Sequence, residues 1–476
     1  MYRTYVDWRA SAQDRRYIDW AVSVARKRSL NADASVFDFV RDVLLLRPPE
    51  GSSASLAPSY RAFAMRFQQF TAPVTAKGIE DTAFYVFNRL ISLNEVGGDP
   101  ERFGTTVKAF HRANAERLAL WPHTMLAGST HDNKRSSDVR ARIDVISEMP
   151  AAWRLLVRRW SRINRARKRS VDDAPAPSNN DEYLLYQTLA GTFPAGDTDP
   201  STLELYRQRI VSYMVKAARE AKTHTSWLRV NDAYESALVS FVEALLDATP
   251  TNAFLGDLRQ SCRTFAWYGG LNSVAMALLH FTSPGVPDIY QGSEIGDLSL
   301  VDPDNRRPVD YALRRGQLDS LDSLANAPDP QRIAGLRALL DTPHDGRLKM
   351  WVTWRALGVR RRDPELFSDG GYTPLEAGGT RSRHVVAFAR HHGKRTVIAI
   401  AARMFASLGV PVGEPPIGDR AWGDTRVALS NLRSNGRMTD MLTGRTIDVS
   451  GSELPAASAF EHLPVALLIA DAQNLA

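Results

Sequence analysis

Thr124-Met125-Leu126-Ala127-Gly128-Ser129, followed at once by Thr130-His131-Asp132-Asn133-Lys134-Arg135, is the stretch on which the fold turns. Thr124 to Ser129 reads as a short buried strand that delivers His131 and Asp132 at its C-terminal end. A second unit of the same kind lies downstream. Leu271 to Phe281 is an apolar helix, Pro284-Gly285 ends it, and Val286 to Gln291 reads as a strand. Helix then strand, around residues 118–135 and 271–292, is the order of βα units in a parallel sheet. In a barrel of such units the functional residues sit at the C-terminal ends of strands. His131-Asp132 and Tyr290-Gln291-Gly292 both occupy such ends, and two polar strand ends mark an active site better than one.

Outward from this pair, residues 1–8 read as a short strand. Ser11 with Asp14 forms a capping box, which predicts a helix from there to about Arg28. Tyr60, Phe63, Phe67 and Phe70 keep a three–four spacing, the mark of a helix whose aromatic face packs in the core. A further helix is expected over Thr82 to Leu93, ending near Gly97-Gly98. Helices dominate from about Ser137 to Leu246, interrupted by a Pro/Ser/Asn-rich loop over Asp172 to Asn180. Ser201 and Glu204 offer another capping box, with Leu205, Ile210, Tyr213 and Met214 as apolar surface behind it. From about Arg383 the period changes to two. Val386 and Phe388 alternate with smaller residues, Val397–Ile400 and Val465–Ile469 are β-rich, and Thr443-Gly444 suggests a turn. The tail is therefore expected to be a small antiparallel β domain. There is no internal repeat.

A chain of 476 residues has room for two or three domains, and 44% hydrophobic with 24% charged residues is a globular balance. No run reaches the roughly 18 apolar residues of a membrane span, and the N-terminus lacks a basic-then-apolar leader pattern. Cys262 is the single cysteine, which rules out an internal disulfide. These features point to the cytoplasm and to no membrane partner. The formal charge is +7. Part of the excess lies in Arg154, Arg158, Arg162, Arg165 and Arg169, whose spacing puts them on one helix face. A phosphate-tracking stripe and a solvated face both fit that spacing. Charge runs usually face water, and no nucleic-acid signature accompanies this one, so no nucleic-acid partner is expected.

The polar strand ends suit carbohydrate chemistry. Glycosidic cleavage with retention uses two carboxyl groups about 5–5.5 Å apart, and hydrogen bonds to the sugar 2-OH strengthen in the oxocarbenium-like transition state. Asp132 suits that third role as acceptor and His131 as donor. A His-Asp dipeptide alone is a weak signal that structure or chance also explains.

Longer segments carry more. Ala76 to Tyr85 (AKGIEDTAFY), Leu126 to Arg142 (LAGSTHDNKRSSDVRAR), Asn180 to Leu189 (NDEYLLYQTL), Ser283 to Tyr311 (SPGVPDIYQGSEIGDLSLVDPDNRRPVDY) and the tail from Trp351-Val352-Thr353-Trp354-Arg355 onward together resemble the maltooligosyl trehalose synthases, a family of the α-amylase clan. The resemblance covers nearly the whole chain. It implies an intramolecular transglucosylation, without metal or organic cofactor, that turns the reducing-end α-1,4 linkage of a maltooligosaccharide into an α,α-1,1 linkage. It implies Asp132 as the transition-state-stabilising aspartate and His131 as its sugar-binding neighbour, with Lys134 and Arg135 in the same motif. Asp302, Asp304, Asn305, Arg306 and Arg307 match a DPDNRRP loop expected near the reducing-end glucose, where carboxylates and guanidinium groups give the donor–acceptor array that hydroxyls require. A salt-bridged structural loop is the competing reading. Tyr290 ends the neighbouring strand. Lys77, Glu80 and Asp81 would line the cleft or start a helix.

The resemblance also marks departures. The clan's nucleophile aspartate and acid/base glutamate follow the fourth and fifth barrel strands, and no segment here resembles either. Arg142-Ile143-Asp144 mimics the nucleophile's pattern but falls on a predicted helix, and Glu294 reads as a supporting carboxylate. Gly296 stands where an aromatic is expected. The fold class expected is thus α/β: an incomplete (β/α)8 barrel with its last three strands (Tyr2–Val6, Thr124–Ser129 and Val286–Gln291), large helical insertions and a C-terminal antiparallel β domain. The divisions are 1–136 and 266–370 for the barrel, 137–265 for a helical insertion and 371–476 for the β domain. Such a chain would be a truncated product, a mis-called gene start or half of a split enzyme, inactive alone, and in the last case served by an N-terminal companion chain. A non-catalytic carbohydrate-binding subunit and a clan hydrolase are the alternatives.

Overall fold

A computed structural model describes residues 2–29, 31–53, 55–196, 198–429, 436–449 and 451–470. Met1, at the head of the expected first strand, lies outside them, as do residues 471–476 of the expected β domain.

Three helices open the chain: Ala12–Arg28, Ala34–Leu44 and Leu56–Gly78. The first starts on the predicted capping box, with Ser11 accepting from the Asp14 N–H and Asp14 reaching back. They enclose a small core of their own: Val6, Ile18, Leu44, Leu45 and Ala64. The aromatic row on the third helix divides. Tyr60 is buried, but Phe63 and Phe70 are 49% and 64% exposed, because one narrow core reaches only part of that face.

Residues 2–8 form no strand. The Gln68 side-chain amide takes the place of a strand neighbour: its Oε1 accepts from the Val6 N–H at 2.7 Å and its Nε2 donates to the Val6 carbonyl at 2.9 Å. The expected Thr82–Leu93 helix is likewise replaced by a π-turn at Ile79–Ala83, one α-turn at Phe84–Val86 and a 3-10 turn at Ile91–Leu93. Asn94 Nδ2 donates to the carbonyls of Phe84 and Phe87, and Gln187 bonds Ile91 N–H and Asn88 C=O. Side-chain amides thus satisfy backbone groups that a continuous helix would pair within itself.

The middle of the chain is helical: Ser137–Glu148, Pro150–Asn164, Asn179–Thr192, Pro200–Ala221 and Asp232–Leu245 surround the 30-residue helix Ala253–Thr282. The predicted apolar segment Leu271–Phe281 is the last third of that long helix. Gly269 and Gly270 let it be approached closely: a Cβ on either would stand within 2.4 Å of Arg142 or 2.6 Å of the Pro343 backbone. The expected Ser201–Glu204 box is superseded by Asp199, two residues earlier, whose carboxylate accepts from the Ser201 and Thr202 N–H groups. Ile210, Tyr213 and Met214 are buried behind it, whereas Leu205 is exposed. The Asp172–Asn180 loop is in fact a hairpin, Arg169–Val171 against Ala174–Ala176, turned by Asp172 and Asp173 at φ 48° and 60°. That hairpin also ends the arginine row. Arg154, Arg158 and Arg162 are on one helix, Arg165 is in a 3-10 turn and Arg169 begins a strand.

Two of the three expected barrel strands form, and they pair in parallel: Met125–Ala127 beside Val286–Asp288, with Leu126 opposite Pro287. The first is not buried. Met125 is 69% exposed, since this strand has one neighbour among the described residues and none covering its outer side.

The tail is antiparallel. Gly371–Leu375, Val385–His392, Arg395–Ala402, Val465–Ala470, Gly436–Asp440 and Thr446–Val449 lie side by side in that spatial order. Residues 385–390 are buried without interruption, so this sheet is covered on both faces rather than alternating in and out. The Val107–Leu120 helix is keyed to it through His111 Nδ1 and the Tyr372 hydroxyl, 2.7 Å apart. Among the described residues no helix is long and apolar enough to cross a membrane.

Candidate functional site

The loop after the Met125–Ala127 strand is held from beneath and open above. Thr130 Oγ1 accepts from the Asp132 N–H at 3.3 Å, and Ser129 Oγ accepts from the Ser137 N–H at 2.9 Å, so the turn is closed by its own hydroxyls. His131 and Asp132 are exposed; the Asp132 side chain is 57% accessible. The next four residues, Asn133 to Ser136, are all buried. A single carboxylate explains the change. Glu95 Oε1 accepts from the Lys134 N–H at 2.9 Å and Oε2 from the Arg135 N–H at 3.2 Å.

Lys134 and Arg135 both point into the protein. Lys134 Nζ lies 2.9 Å from Asp81 Oδ1 and 3.9 Å from Asp132 Oδ1, with its side chain 2% accessible. Lys77 reaches the other Asp81 oxygen at 2.5 Å. Burial would raise the Asp81 carboxyl, but hydrogen bonds from Lys77 and Lys134 outweigh it and hold the group below its ordinary value. Arg135 donates to the carbonyls of Ile91 and Asn94 and to the Tyr213 hydroxyl, at 3.1, 3.4 and 2.8 Å. Glu80 is buried and accepts from the Tyr2 hydroxyl.

The second polar strand end meets the first. The Tyr290 hydroxyl donates to the Asn305 carbonyl at 3.0 Å, and Asn305 Nδ2 donates to the His131 carbonyl at 3.0 Å. Ser136 N–H bonds the Ser299 carbonyl, and Arg135 pairs with Leu300 as an antiparallel bridge. Segments 163 to 174 residues apart in sequence therefore form one wall.

Within the 302–307 loop the roles separate. Asp304 is gripped by Arg209 in a two-bond fork, 2.8 Å on each arm, and accepts from the Leu300 N–H. Its carboxyl stays below the ordinary value although burial pushes the other way. Lys216 Nζ donates to the Asp302 carbonyl at 2.6 Å, and the Asp302 carboxylate meets Arg306 at 3.0 Å. Arg306 and Arg307 leave half their side chains in solvent, 54% and 52%. The loop is thus braced on Asp304 and open on its arginines.

Glu294 pairs with Arg314 at 2.6 Å, and Asp144 sits on the Ser137–Glu148 helix, where burial raises its carboxyl. Glu95, Arg209 and Lys216 escaped the sequence reading. Glu95 precedes the Gly97-Gly98 breaker and the other two lie on a helix, positions that carry no motif. Among the described residues no three metal-ligating side chains gather.

No family model matches the chain. Two Mycobacterium tuberculosis proteins, from strains CDC 1551 / Oshkosh and H37Rv, carry the name maltooligosyl trehalose synthase and are each 37% identical over 411 residues, 86% of this chain and 46% of their own length. The solved maltooligosyltrehalose synthase of Arthrobacter ramosus is 33% identical, with a TM-score of 0.75 over 96% of this chain and 51% of that one. A Sulfolobus tokodaii structure described as a hypothetical maltooligosyl trehalose synthase is 26% identical, with a TM-score of 0.64 over 96% of this chain and 55% of its own. The chain spans about half the length of the relatives it matches. Over that span, in sequence and in backbone alike, it belongs to the maltooligosyl trehalose synthase family.

Proposed function

We propose that this chain supplies the transition-state-stabilising aspartate and the reducing-end wall for converting a terminal α-1,4 linkage of a maltooligosaccharide into an α,α-1,1 linkage. The observation that carries the reading is the contrast within one loop. Asp132 stands in solvent while the four residues after it are locked inside. A carboxylate offered on a rigid base is what differential recognition of a sugar hydroxyl in the transition state requires. Asp132 accepts from the 2-OH and His131 donates to a neighbouring hydroxyl. Arg306, Arg307 and Tyr290 face the reducing-end glucose, with Asp302, Asp304 and Asn305 setting their positions. Lys134 and Arg135, whose Nζ and Nη groups are bonded inside, position the loop. No organic cofactor or metal enters this chemistry. The barrel portion comprises residues 1–136 and 266–370, around a helical insertion over 137–265 and ahead of a β domain over 371–476.

A nucleophile and an acid must complete the set. The test joins this chain to the remaining half of the Arthrobacter ramosus relative and measures non-reducing product from maltopentaose. The hybrid is expected to turn over, and Asp132→Asn to lower kcat by at least about 100-fold, the effect of losing several kcal/mol of transition-state stabilisation. The isolated chain is expected to bind without turnover. An Asp132→Asn hybrid as active as its parent sinks the assignment of that residue. Turnover by the isolated chain sinks the division of labour.

A further inference from the structure

Arg158 and Arg162 of the Pro150–Asn164 helix have no part in the reaction proposed above. That helix, the 3-10 turn at Arg165–Arg167 and the Asn179–Thr192 helix border an open cavity of about 760 Å³ that shares no lining residue with the Asp132–Asn305 wall. Arg158, Arg162, Arg165 and Lys168 line it together with Glu182 and Tyr183. Among the described residues the three guanidinium groups make no side-chain hydrogen bond or ion pair. Lys168 is engaged: its Nζ lies 2.7 Å from Glu182 Oε2, and both side chains are nearly inaccessible. The other Glu182 oxygen accepts from the Tyr186 hydroxyl at 2.6 Å. Among the described residues Glu182 is the only carboxylate lining the cavity, and it is neutralised, so the three guanidinium charges remain unmatched.

We infer that this cavity binds a small phosphorylated ligand, a sugar-sized or nucleoside-sized body carrying two or more negative charges. Guanidinium forks match phosphoryl oxygens two at a time, and three of them call for a di- or trianion rather than a single carboxylate. The volume lies within the usual range of small-molecule sites, about 300–1,000 Å³. Tyr183 supplies an apolar flank. Its hydroxyl is already bonded to Trp153 Nε1 at 3.1 Å and to the Arg89 carbonyl at 3.3 Å, so the ring face is what it presents. A polynucleotide would follow the charge along the outer face, where Arg154 also stands. The concavity gathers Arg158, Arg162 and Arg165 and leaves Arg154 out.

Calorimetric titration of the full chain with inorganic pyrophosphate, and in parallel with glucose 1-phosphate, tests this. One saturable site is expected. Arg158→Ala with Arg162→Ala should weaken it at least about tenfold, as loss of charge-assisted bonds does. Arg162→Lys should weaken it less, and Arg154→Ala should leave it unchanged. Circular dichroism verifies that each variant is folded. Absence of saturable binding overturns the proposal, as does equal affinity in the double variant or equal loss in Arg154→Ala. Tighter binding of a single-stranded oligonucleotide than of pyrophosphate, with a steep salt dependence involving Arg154, overturns it in favour of a polynucleotide.

Discussion

Asn305 holds His131 by its backbone: the side-chain amide donates to the His131 carbonyl at 3.0 Å, and the Asn305 carbonyl in turn accepts from Tyr290 at 3.0 Å. The bond leaves the imidazole free while fixing the chain that carries it. Replacing Asn305 by Ala removes a donor to a solvent-accessible carbonyl. Stability should fall by only about 1 kcal/mol, because water can take the vacated acceptor. Maltopentaose binding, followed by calorimetry, should weaken by roughly tenfold as the wall loses its cross-tie. A variant that binds as well as its parent would remove Asn305 from the positioning set.

Glu95 is the inverse case, a buried carboxylate that serves backbone donors. Besides the N–H groups of Lys134 and Arg135 it accepts from Val96 at 2.8 Å. Glu95→Ala would leave the two buried N–H groups of Lys134 and Arg135 without acceptors and should cost about 2–6 kcal/mol in urea denaturation, at roughly 1–3 kcal/mol for each. Glu95→Gln keeps one acceptor oxygen and should lose less than half of that. If Ala and Gln are equally mild, the loop is fixed by something other than this carboxylate.

Asp304 gives a dependence on pH whose sign follows from its pairing. Burial alone would raise its carboxyl, but the Arg209 fork and the Leu300 N–H hold the folded value below the ordinary 3.8. A depressed carboxyl contributes stability above the unfolded value, and that contribution is lost as pH falls through the folded one. Asp304→Asn should therefore be less stable than the parent by about 2 kcal/mol near neutrality, and the gap should close below pH 3.8. Urea midpoints measured across that window check it; a gap independent of pH would mean that the charge is not what matters.

Several features were legible in the residues alone. Local chemistry settled them. The Ser11–Asp14 cap needs only neighbours three apart, and the helix before Pro284-Gly285 needs only its apolar run and its breaker. The strand at Met125–Ala127 and the turn at Gly444 are equally local. The position of His131-Asp132 just after that strand was legible in the same way, although the dipeptide alone was a weak signal of a role. The long motifs carried the family resemblance in the same way.

The rest was decided by groups far apart in sequence. No periodicity could reveal that the Gln68 amide would take the backbone of Val6 and forestall a strand, or that Asn94 and Gln187 would unwind the expected helix over residues 82–93. Nor could it reveal that Lys134 turns inward to Asp81 while Asp132 turns out. Sequence determined which residues carry charge, which runs are apolar and which family they match. Tertiary structure decided which charges are spent on partners and which remain available. The reason is physical: a buried polar group must find a partner wherever the fold brings one, and that partner is set by three-dimensional proximity, not by spacing along the chain.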